Sequence, residues 1–169
     1  MIYYTSDHHF GHANIIKYAN RTWCQHVTDM NEKLVDIWNS TITDGDEVWH
    51  LGDVYFRDSE YLKQLKGIKY LLLGNHDQKN KNTLKNYFQI INNDIYVDNK
   101  NQLVLCHYPI HDWPHKYHNY IHLHGHSHGT VKYDYNAVDV GVDCWNGFPI
   151  TLNQIRNRIA IRKATGHFE

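Results

Sequence analysis

The sequence lacks long apolar runs, an excess of positive charge and any paired cysteine motif. Because no apolar run approaches the length of a membrane span and no leader pattern opens the chain, we expect a soluble, cytoplasmic protein without a membrane partner. The 17 lysine and arginine residues against 18 aspartate and glutamate residues give a net charge of -1. Without a global positive field, we expect no stable binding of duplex DNA.

Cysteine is scarce, with residues at Cys24, Cys106 and Cys144. They form no Cys-x-x-Cys pair and leave an odd thiol, which favours small buried side chains in a reducing compartment over a disulfide framework. The length of 169 residues is about that of one domain, so we predict a single domain over residues 1–169. The sequence makes no prediction about the oligomeric state.

Histidine, in contrast, is abundant, with 15 residues, and several of them stand in short patches with aspartate, asparagine and glycine. These patches are Asp7-x-His9, Gly52-Asp53, Gly74-Asn75-His76-Asp77, His107 and Gly125-His126-x-His128. Carboxylate, amide and imidazole groups are the ligands that borderline divalent metals such as manganese, iron and zinc accept. The patches therefore indicate a two-metal centre with seven ligands, namely Asp7, His9, Asp53, Asn75, His107, His126 and His128.

The first three patches each follow a predicted strand. Apolar and β-branched residues predict strands over residues 1–5, 47–51 and 69–73, each of which ends at a patch. Two ions also need a ligand that can bridge them, and the carboxylate of Asp53 is the candidate. Each patch alone is a weak signal, but their joint occurrence beside predicted strands makes chance the poorer explanation.

Helical spacing of apolar residues predicts a helix over residues 29–40 that opens with a capping box of Asp29 and Glu32. A polar helix is predicted near residues 59–66, and a last helix begins at the capping box of Thr151 and Gln154. Further strands are predicted near residues 95–97, 103–106, 121–123, 131–135 and 137–142. We expect them to form a second, more antiparallel sheet.

Taken together and in this order, the patches resemble the calcineurin-like metallophosphoesterase superfamily over residues 7–128. The longer runs over residues 6–16 and 139–143 are similar to the small, minimal phosphoesterases of bacteria and their phages. The resemblance implies an α/β fold, a four-layer α/β/β/α sandwich in which helices flank two mixed β-sheets, with no cap domain.

The resemblance also divides the ligands between two divalent ions. It places Asp7, His9, Asp53 and His128 on one ion, and Asp53, Asn75, His107 and His126 on the other. Manganese is favoured, with iron, zinc, nickel and cobalt as alternatives. His76 corresponds to the histidine that contacts phosphate and protonates the leaving oxygen, and we infer that Asp77 orients its imidazole.

The implied activity is that of a metal-dependent phosphoric ester hydrolase, with a phosphodiesterase favoured. A hydroxide that bridges the metals would attack a phosphodiester or phosphomonoester of a small, nucleotide-like substrate. His12 and Arg21 are candidates for contacts with the substrate phosphate, although a helix-start histidine and a surface arginine are equally good interpretations. Arg57 and Lys79 are weaker candidates.

Three alternatives stay open. The His-Asp pairs at His76 and His111 also occur in helical HD-type phosphohydrolases, a class that the β-rich pattern disfavours. A module of the same fold could bind metal as a scaffold without catalysis. A nuclease acting on single-stranded nucleic acid ends would share the site and differ in its substrate.

Overall fold

The computed structural model describes residues 1–168, which form nine strands and four α-helices. The strands are β1 (Ile2–Thr5), β2 (Glu47–His50), β3 (Ile68–Leu72), β4 (Gln89–Ile91), β5 (Ile95–Asp98), β6 (Leu103–Cys106), β7 (Ile121–His124), β8 (Ala137–Asp139) and β9 (Ile150–Thr151). The helices are α1 (Ile15–Tyr18), α2 (Val27–Thr41), α3 (Lys81–Leu84) and α4 (Leu152–Thr165). Short 3₁₀ turns cover Glu60–Gln64, Gln78–Asn80, Lys116–His118 and Val142–Cys144.

The strands form two mixed sheets. The first has the order β4-β3-β2-β1-β9, with β1 to β4 parallel and β9 antiparallel to β1. The second has the order β5-β6-β7-β8, in which only the β5–β6 pair is antiparallel. The expectation of a more antiparallel second sheet is therefore wrong. The connections from β6 to β7 and from β7 to β8 are crossovers rather than hairpins, so these strands run in the same direction.

The first sheet buries both of its faces because successive side chains of a strand point to opposite sides. On β1, Tyr3 packs in the cluster that contains Leu34 and Trp38 of α2. The next residue, Tyr4, packs in a second cluster with Leu105 and other residues of the second sheet. The first sheet thus lies between α2 and the second sheet.

The second sheet packs against the first through Leu105 and Leu123, and α4 adds Ile155 and Ile159 to the same cluster. Its other face carries a smaller cluster around Trp113. The result is the α/β/β/α sandwich that the resemblance implies, and residues 1–168 include no cap domain. Within the same residues, no helix has the length and apolar character needed to cross a membrane.

The two predicted capping boxes differ in outcome. The box at α4 is confirmed, because the Thr151 side chain accepts from the Gln154 N–H while the Gln154 side chain accepts from the Thr151 N–H. The prediction of a capping box at Asp29 and Glu32 is wrong, because α2 begins at Val27 and its N-cap is His26. Asp29 instead lies in the first turn, where its carboxylate accepts from the Gln25 N–H at 3.1 Å.

Two other predicted elements also differ from the structure. The helix near residues 59–66 is the 3₁₀ turn Glu60–Gln64. No strand forms over residues 131–135, and Tyr133 of this segment packs against the cluster around Trp113 on the outer face of the second sheet. There the Tyr133 hydroxyl donates to the Ile110 carbonyl at 2.6 Å. The three cysteines are free, and Cys24 and Cys106 are buried as expected, whereas Cys144 is only partly buried.

Candidate metal centre

The seven predicted ligands lie together at one end of the sandwich, in the loops that follow the strands. Asp7 and His9 follow β1, Asp53 follows β2 and Asn75 follows β3, all in the first sheet. His107 follows β6, and His126 and His128 follow β7, in the second sheet. The site is therefore assembled from both sheets, because parallel strands bring their carboxyl ends to the same edge.

The ligand atoms form three overlapping groups whose members lie within 4.8 Å of one another. The groups are Asp7, His9 and His128; His9, Asp53 and His76; and Asp53, His107 and His126. Oδ2 of Asp53 lies 3.6 Å from Nε2 of His9 and 3.5 Å from Nε2 of His107. Asp53 thus stands between the two outer groups, at the position predicted for a bridging ligand.

His107 is held so that one ring nitrogen points into the site. Its Nδ1 lies 2.7 Å from the Leu51 carbonyl, which can only accept, so the proton sits on Nδ1. Burial lowers the pKa of His107 to about 4, so the ring is neutral near pH 7. Its Nε2 lone pair then faces Oδ1 of Asn75 at 3.0 Å and Oδ2 of Asp53 at 3.5 Å. Three acceptors that converge without a donor fit a bound cation.

His128 is oriented by Asp143. Its Nδ1 lies 2.7 Å from Oδ2 of Asp143, which leaves Nε2 for the group with Asp7 and His9. A carboxylate on the far nitrogen of a metal-binding histidine fixes its orientation and raises its basicity. Sequence reasoning missed this role of Asp143, although the run over residues 139–143 had been singled out for its resemblance to small phosphoesterases.

Arg21 links Asp143 to the loop that carries the first ligands. The side chain is 1% exposed, and its Nε and Nη2 donate to Asp143 at 2.8 and 2.9 Å. The same guanidinium donates to the carbonyls of Asp7 and His8 at 2.6 and 3.0 Å. The predicted contact of Arg21 with substrate phosphate is therefore wrong, because its donors are already used inside the protein. Arg21 holds the site together instead.

Asp77 also has a different role from the predicted one. Its Oδ2 accepts from the N–H groups of Asp53 and Gly74 at 2.7 and 2.9 Å, and its Oδ1 accepts from the Val54 N–H at 3.0 Å. The residue is fully buried. The carboxylate next to the His76 ring is that of Asp53, whose Oδ2 lies 3.9 Å from Nε2 of His76. Asp77 thus holds the Asp53 loop, and its inferred contact with the His76 imidazole is wrong.

Asp139 supports the ligand loop after β7 in the same way. Its Oδ2 accepts from the Ser127 hydroxyl at 2.8 Å and from the Gly129 N–H at 2.9 Å, and its Oδ1 accepts from the Gly141 N–H at 2.8 Å. Ser127 lies between the two histidines of the His126-x-His128 patch. Sequence reasoning missed this role too, and the same run over residues 139–143 was the available signal.

His76 and His12 lie at the mouth of the site. The His76 side chain is 35% exposed, and its ring centroid lies 5.4 Å from that of His9. The His12 ring lies 5.5 Å from His9 and 5.9 Å from His76. By contrast, His8 is buried in the core, where its Nδ1 lies 3.0 Å from Nε2 of His50. The structure therefore brings His12 and His76, but not His8, to the ligands.

Five of the seven predicted ligands have a left-handed backbone. The φ values are +61° for Asp7, +55° for His9, +56° for Asp53, +65° for His126 and +45° for His128. Non-glycine residues rarely adopt this conformation, and it tends to persist where a functional site requires it. The loops thus hold these side chains in orientations that a continuing strand would not give.

Two motif glycines leave room for ligand carboxylates. A methyl group at Gly74 would overlap Oδ1 of Asp53, and one at Gly125 would overlap Oδ2 of Asp7. The latter oxygen also accepts from the His126 N–H at 2.9 Å. Glycine at these two positions therefore permits the close approach of neighbouring ligand loops.

Several buried ligand atoms have no hydrogen-bond partner among residues 1–168. They are Oδ1 of Asp7 and both ring nitrogens of His9. Burial raises the pKa of Asp7 well above its ordinary value and lowers that of His9 well below its own. A buried polar atom without a partner is costly, and a divalent cation would offset this cost for both side chains. The donor set therefore fits metal ions.

Known proteins resemble the chain over most of its length. The uncharacterized protein MJ1445 of Methanocaldococcus jannaschii is 32% identical over 167 aligned residues, which cover 91% of this chain and 88% of MJ1445. The gene 66 protein of Mycobacterium phage D29 is 23% identical, with 94% of this chain and 95% of that protein covered.

A solved structure shares the fold. The crystal structure of AQ665, a protein of unknown function from Aquifex aeolicus, superimposes with a TM-score of 0.70 at 24% identity, over 93% of this chain and 98% of that one. No protein-family model matches the chain. The identity to MJ1445 extends over most of both chains, and this protein belongs to the same family as MJ1445.

Proposed function

We propose that this protein is a calcineurin-like metallophosphoesterase that uses two divalent ions to hydrolyse a phosphate ester of a small, nucleotide-like substrate. The observation that carries the proposal is the pair of outer ligand groups on either side of Asp53. In the first of them, Oδ1 of Asp7 and both ring nitrogens of His9 are buried without a hydrogen-bond partner among the described residues. A single structural ion would not need this second group of ligands. Two ions that share a carboxylate match a phosphoester-cleaving centre.

The proposed division of ligands follows these groups. Asp7, His9, Asp53 and His128 would hold one ion, and Asp53, Asn75, His107 and His126 would hold the other. When bound, the ions would lower the pKa of water and polarise the phosphoryl oxygens. Nitrogen and oxygen donors without thiolate suit manganese, iron, zinc, nickel or cobalt, and we favour manganese.

His76 is the proposed proton donor to the leaving oxygen. The His76 ring is partly exposed at the mouth, so a substrate phosphate can reach it. Its Nε2 lies 3.9 Å from Oδ2 of Asp53, which places the ring beside the proposed ligands. Asp53 accepts from the His76 backbone N–H at 3.0 Å, which ties His76 to the carboxylate that would bridge the ions. A general acid of this kind contributes about 10²- to 10⁴-fold to a rate.

We favour a phosphodiesterase over a phosphomonoesterase. With no cap domain over residues 1–168 and with His76 partly exposed, the mouth leaves room for groups on both sides of the phosphorus. We further propose that the protein works in the cytoplasm, because three free thiols suit a reducing compartment.

The test is a screen of the protein loaded in turn with manganese, iron, zinc, nickel and cobalt. Substrates are bis-p-nitrophenyl phosphate, p-nitrophenyl phosphate and a panel of linear and cyclic nucleotides. We expect cleavage that a chelator abolishes. If metal binds but every ester stays intact, the protein is a non-catalytic metal-binding scaffold and the proposal is wrong.

Two variants assign the roles. Asp53→Asn should abolish turnover and weaken metal binding, while Asp44→Asn, in the exposed turn before β2, is the matched control. His76→Ala should keep its metals and lose about 10²- to 10⁴-fold in kcat. Full activity in either variant would refute the corresponding role.

A further inference from the structure

The aromatic ring of Phe56, next to His76, contacts two positively charged side chains. The Phe56 ring stacks on His12 with centroids 4.5 Å apart and lies 5.7 Å from the His76 ring. Nζ of Lys79 lies 4.2 Å from the Phe56 centroid, and Cζ of Arg57 lies 5.6 Å from it. Positive charge is therefore held one side chain away from the proposed proton donor.

Neither Arg57 nor Lys79 forms an ion pair with a described carboxylate. Among the described residues, no carboxylate lies within 4.0 Å of the charged groups of Arg57 or Lys79, and both side chains are exposed. Lys33 and Lys63, in contrast, pair with acidic residues of their own helical turns. The net charge of the chain is only -1, so this positive charge is a local feature of the mouth.

A second aromatic ring lies on the other side of the ligands. Tyr108 is 45% exposed, and its ring centroid lies 4.9 Å from His107 and 4.8 Å from His126. An exposed aromatic face beside two ligands offers a stacking surface for a planar group. Phe56 and Tyr108 therefore border the site on its His76 side and its His126 side.

We propose that the mouth binds a phosphodiester between two nucleosides, with a further phosphate on the side of Phe56, as in a phosphorylated dinucleotide or the end of a single strand. Arg57 and Lys79 bind the additional phosphate, and Tyr108 stacks on a base. Cations that follow the backbone together with aromatic rings that stack on bases are how proteins bind single-stranded nucleotides. This inference rests on the proposed function, and it specifies its substrate.

The first test compares thymidine dinucleotides without a terminal phosphate and with one at either end. We expect kcat/KM to be about fivefold to tenfold higher for one of the phosphorylated forms, as two exposed charge contacts would provide. In the Arg57→Gln and Lys79→Gln double variant, this ratio should fall to near one. A Lys66→Gln and Lys85→Gln double variant, which changes two exposed lysines elsewhere, should keep the ratio.

The second test measures binding without turnover. Calorimetric titration with thymidine 3',5'-bisphosphate should show affinity weakened about fivefold or more in Tyr108→Ala, while Tyr108→Phe keeps the ring and most of the affinity. Tyr117→Ala is the control, because Tyr117 is 86% exposed and lies in the turn Lys116–His118. The Arg57 and Lys79 double variant should also bind the bisphosphate more weakly.

The outcomes separate this inference from the proposed function. If bis-p-nitrophenyl phosphate is cleaved but the dinucleotides show no preference for a terminal phosphate, the inference is wrong and the function stands. If no ester is cleaved, the function fails and the titration decides the inference. Equal affinity for the bisphosphate in the wild type, the Tyr108→Ala protein and the double variant overturns it.

Discussion

Arg21 and Asp143 form a buried ion pair with two contacts across 122 positions of the chain, at 2.8 Å between Nε and Oδ1 and 2.9 Å between Nη2 and Oδ2. Arg21 holds the Asp7 loop from the first sheet, and Asp143 holds His128 from the second. This pair therefore joins the two halves of one proposed metal site.

Replacing Asp143 by Asn should weaken metal binding. The amide keeps the shape of the side chain but removes the charge that supports the His128 imidazole. Loss of such a partner typically costs 10- to 100-fold in metal affinity, which calorimetry with Mn²⁺ can measure. Asp134→Asn, which changes a carboxylate paired with Lys116, is the control. Unchanged affinity in Asp143→Asn would contradict this role.

Replacing Arg21 by Met should destabilise the fold, because the buried Asp143 carboxylate would lose both guanidinium contacts and keep, among the described residues, only the His128 ring beside it. Breaking a buried ion pair from one side costs about 3–5 kcal/mol, measurable as the free energy of unfolding in urea. The exposed Arg156, changed to Met, should alter this free energy little. An equally stable Arg21→Met protein would show that Arg21 does not clamp the loop.

A methyl group at Gly74 should damage the metal site directly. In Gly74→Ala, the new Cβ would overlap the Asp53 carboxylate and displace it. We expect bound manganese, measured by plasma mass spectrometry, to fall below one ion per chain. Gly45→Ala is the matched control, since nothing lies within 4 Å of a Cβ at Gly45. A full metal complement in Gly74→Ala would refute this reason for the glycine.

His122 should make the fold sensitive to acid. Its Nδ1 lies 3.1 Å from the Val104 carbonyl, and its Nε2 accepts from the Ile110 N–H at 3.1 Å and lies 3.3 Å from the Tyr108 carbonyl. The neutral ring donates to Val104 and accepts from Ile110, whereas a protonated ring would lose the Ile110 contact. Burial lowers the pKa of His122 to about 4. The unfolded chain therefore binds the proton first as the pH falls below about 6.5, and stability is lost from there down to about pH 4.

His122→Gln keeps a donor and an acceptor but does not titrate. Between pH 7 and pH 4, its free energy of unfolding should fall less than that of the wild type, by roughly 3 kcal/mol at most. The stability of both proteins still falls with pH, because other buried histidines, such as His50 and His124, titrate in both. The exposed His118, changed to Gln, should follow the wild type. Parallel pH curves for the wild type and His122→Gln would contradict the assignment.

The cluster of proposed ligands could be predicted because each of these residues follows a strand. The roles of Asp77, Asp139 and Asp143 could not, since their partners are backbone N–H groups or side chains that only the fold brings near. Arg21 was predicted to contact phosphate because its partner inside the protein, Asp143, lies 122 positions away in the sequence. No local pattern indicates that the two residues are paired.

The layers of the fold followed from the resemblance, whereas strand direction in the second sheet was predicted wrongly. Apolar runs locate strands such as β6 and β7, but they do not distinguish a hairpin from a crossover. The segment 131–135 has the composition of a strand, yet it forms none, and its Tyr133 packs against the cluster around Trp113 instead. Tertiary contacts, which local β-propensity does not report, decided both cases.

The central claim is that two ions act together around Asp53, and activity measured against added Mn²⁺ tests it most directly. Metal-free protein is titrated with Mn²⁺ while hydrolysis of bis-p-nitrophenyl phosphate is followed. We predict that activity rises until two equivalents per chain are bound and that Asp53→Asn stays inactive throughout. Saturation at one equivalent, or no hydrolysis at any metal concentration, would contradict the account.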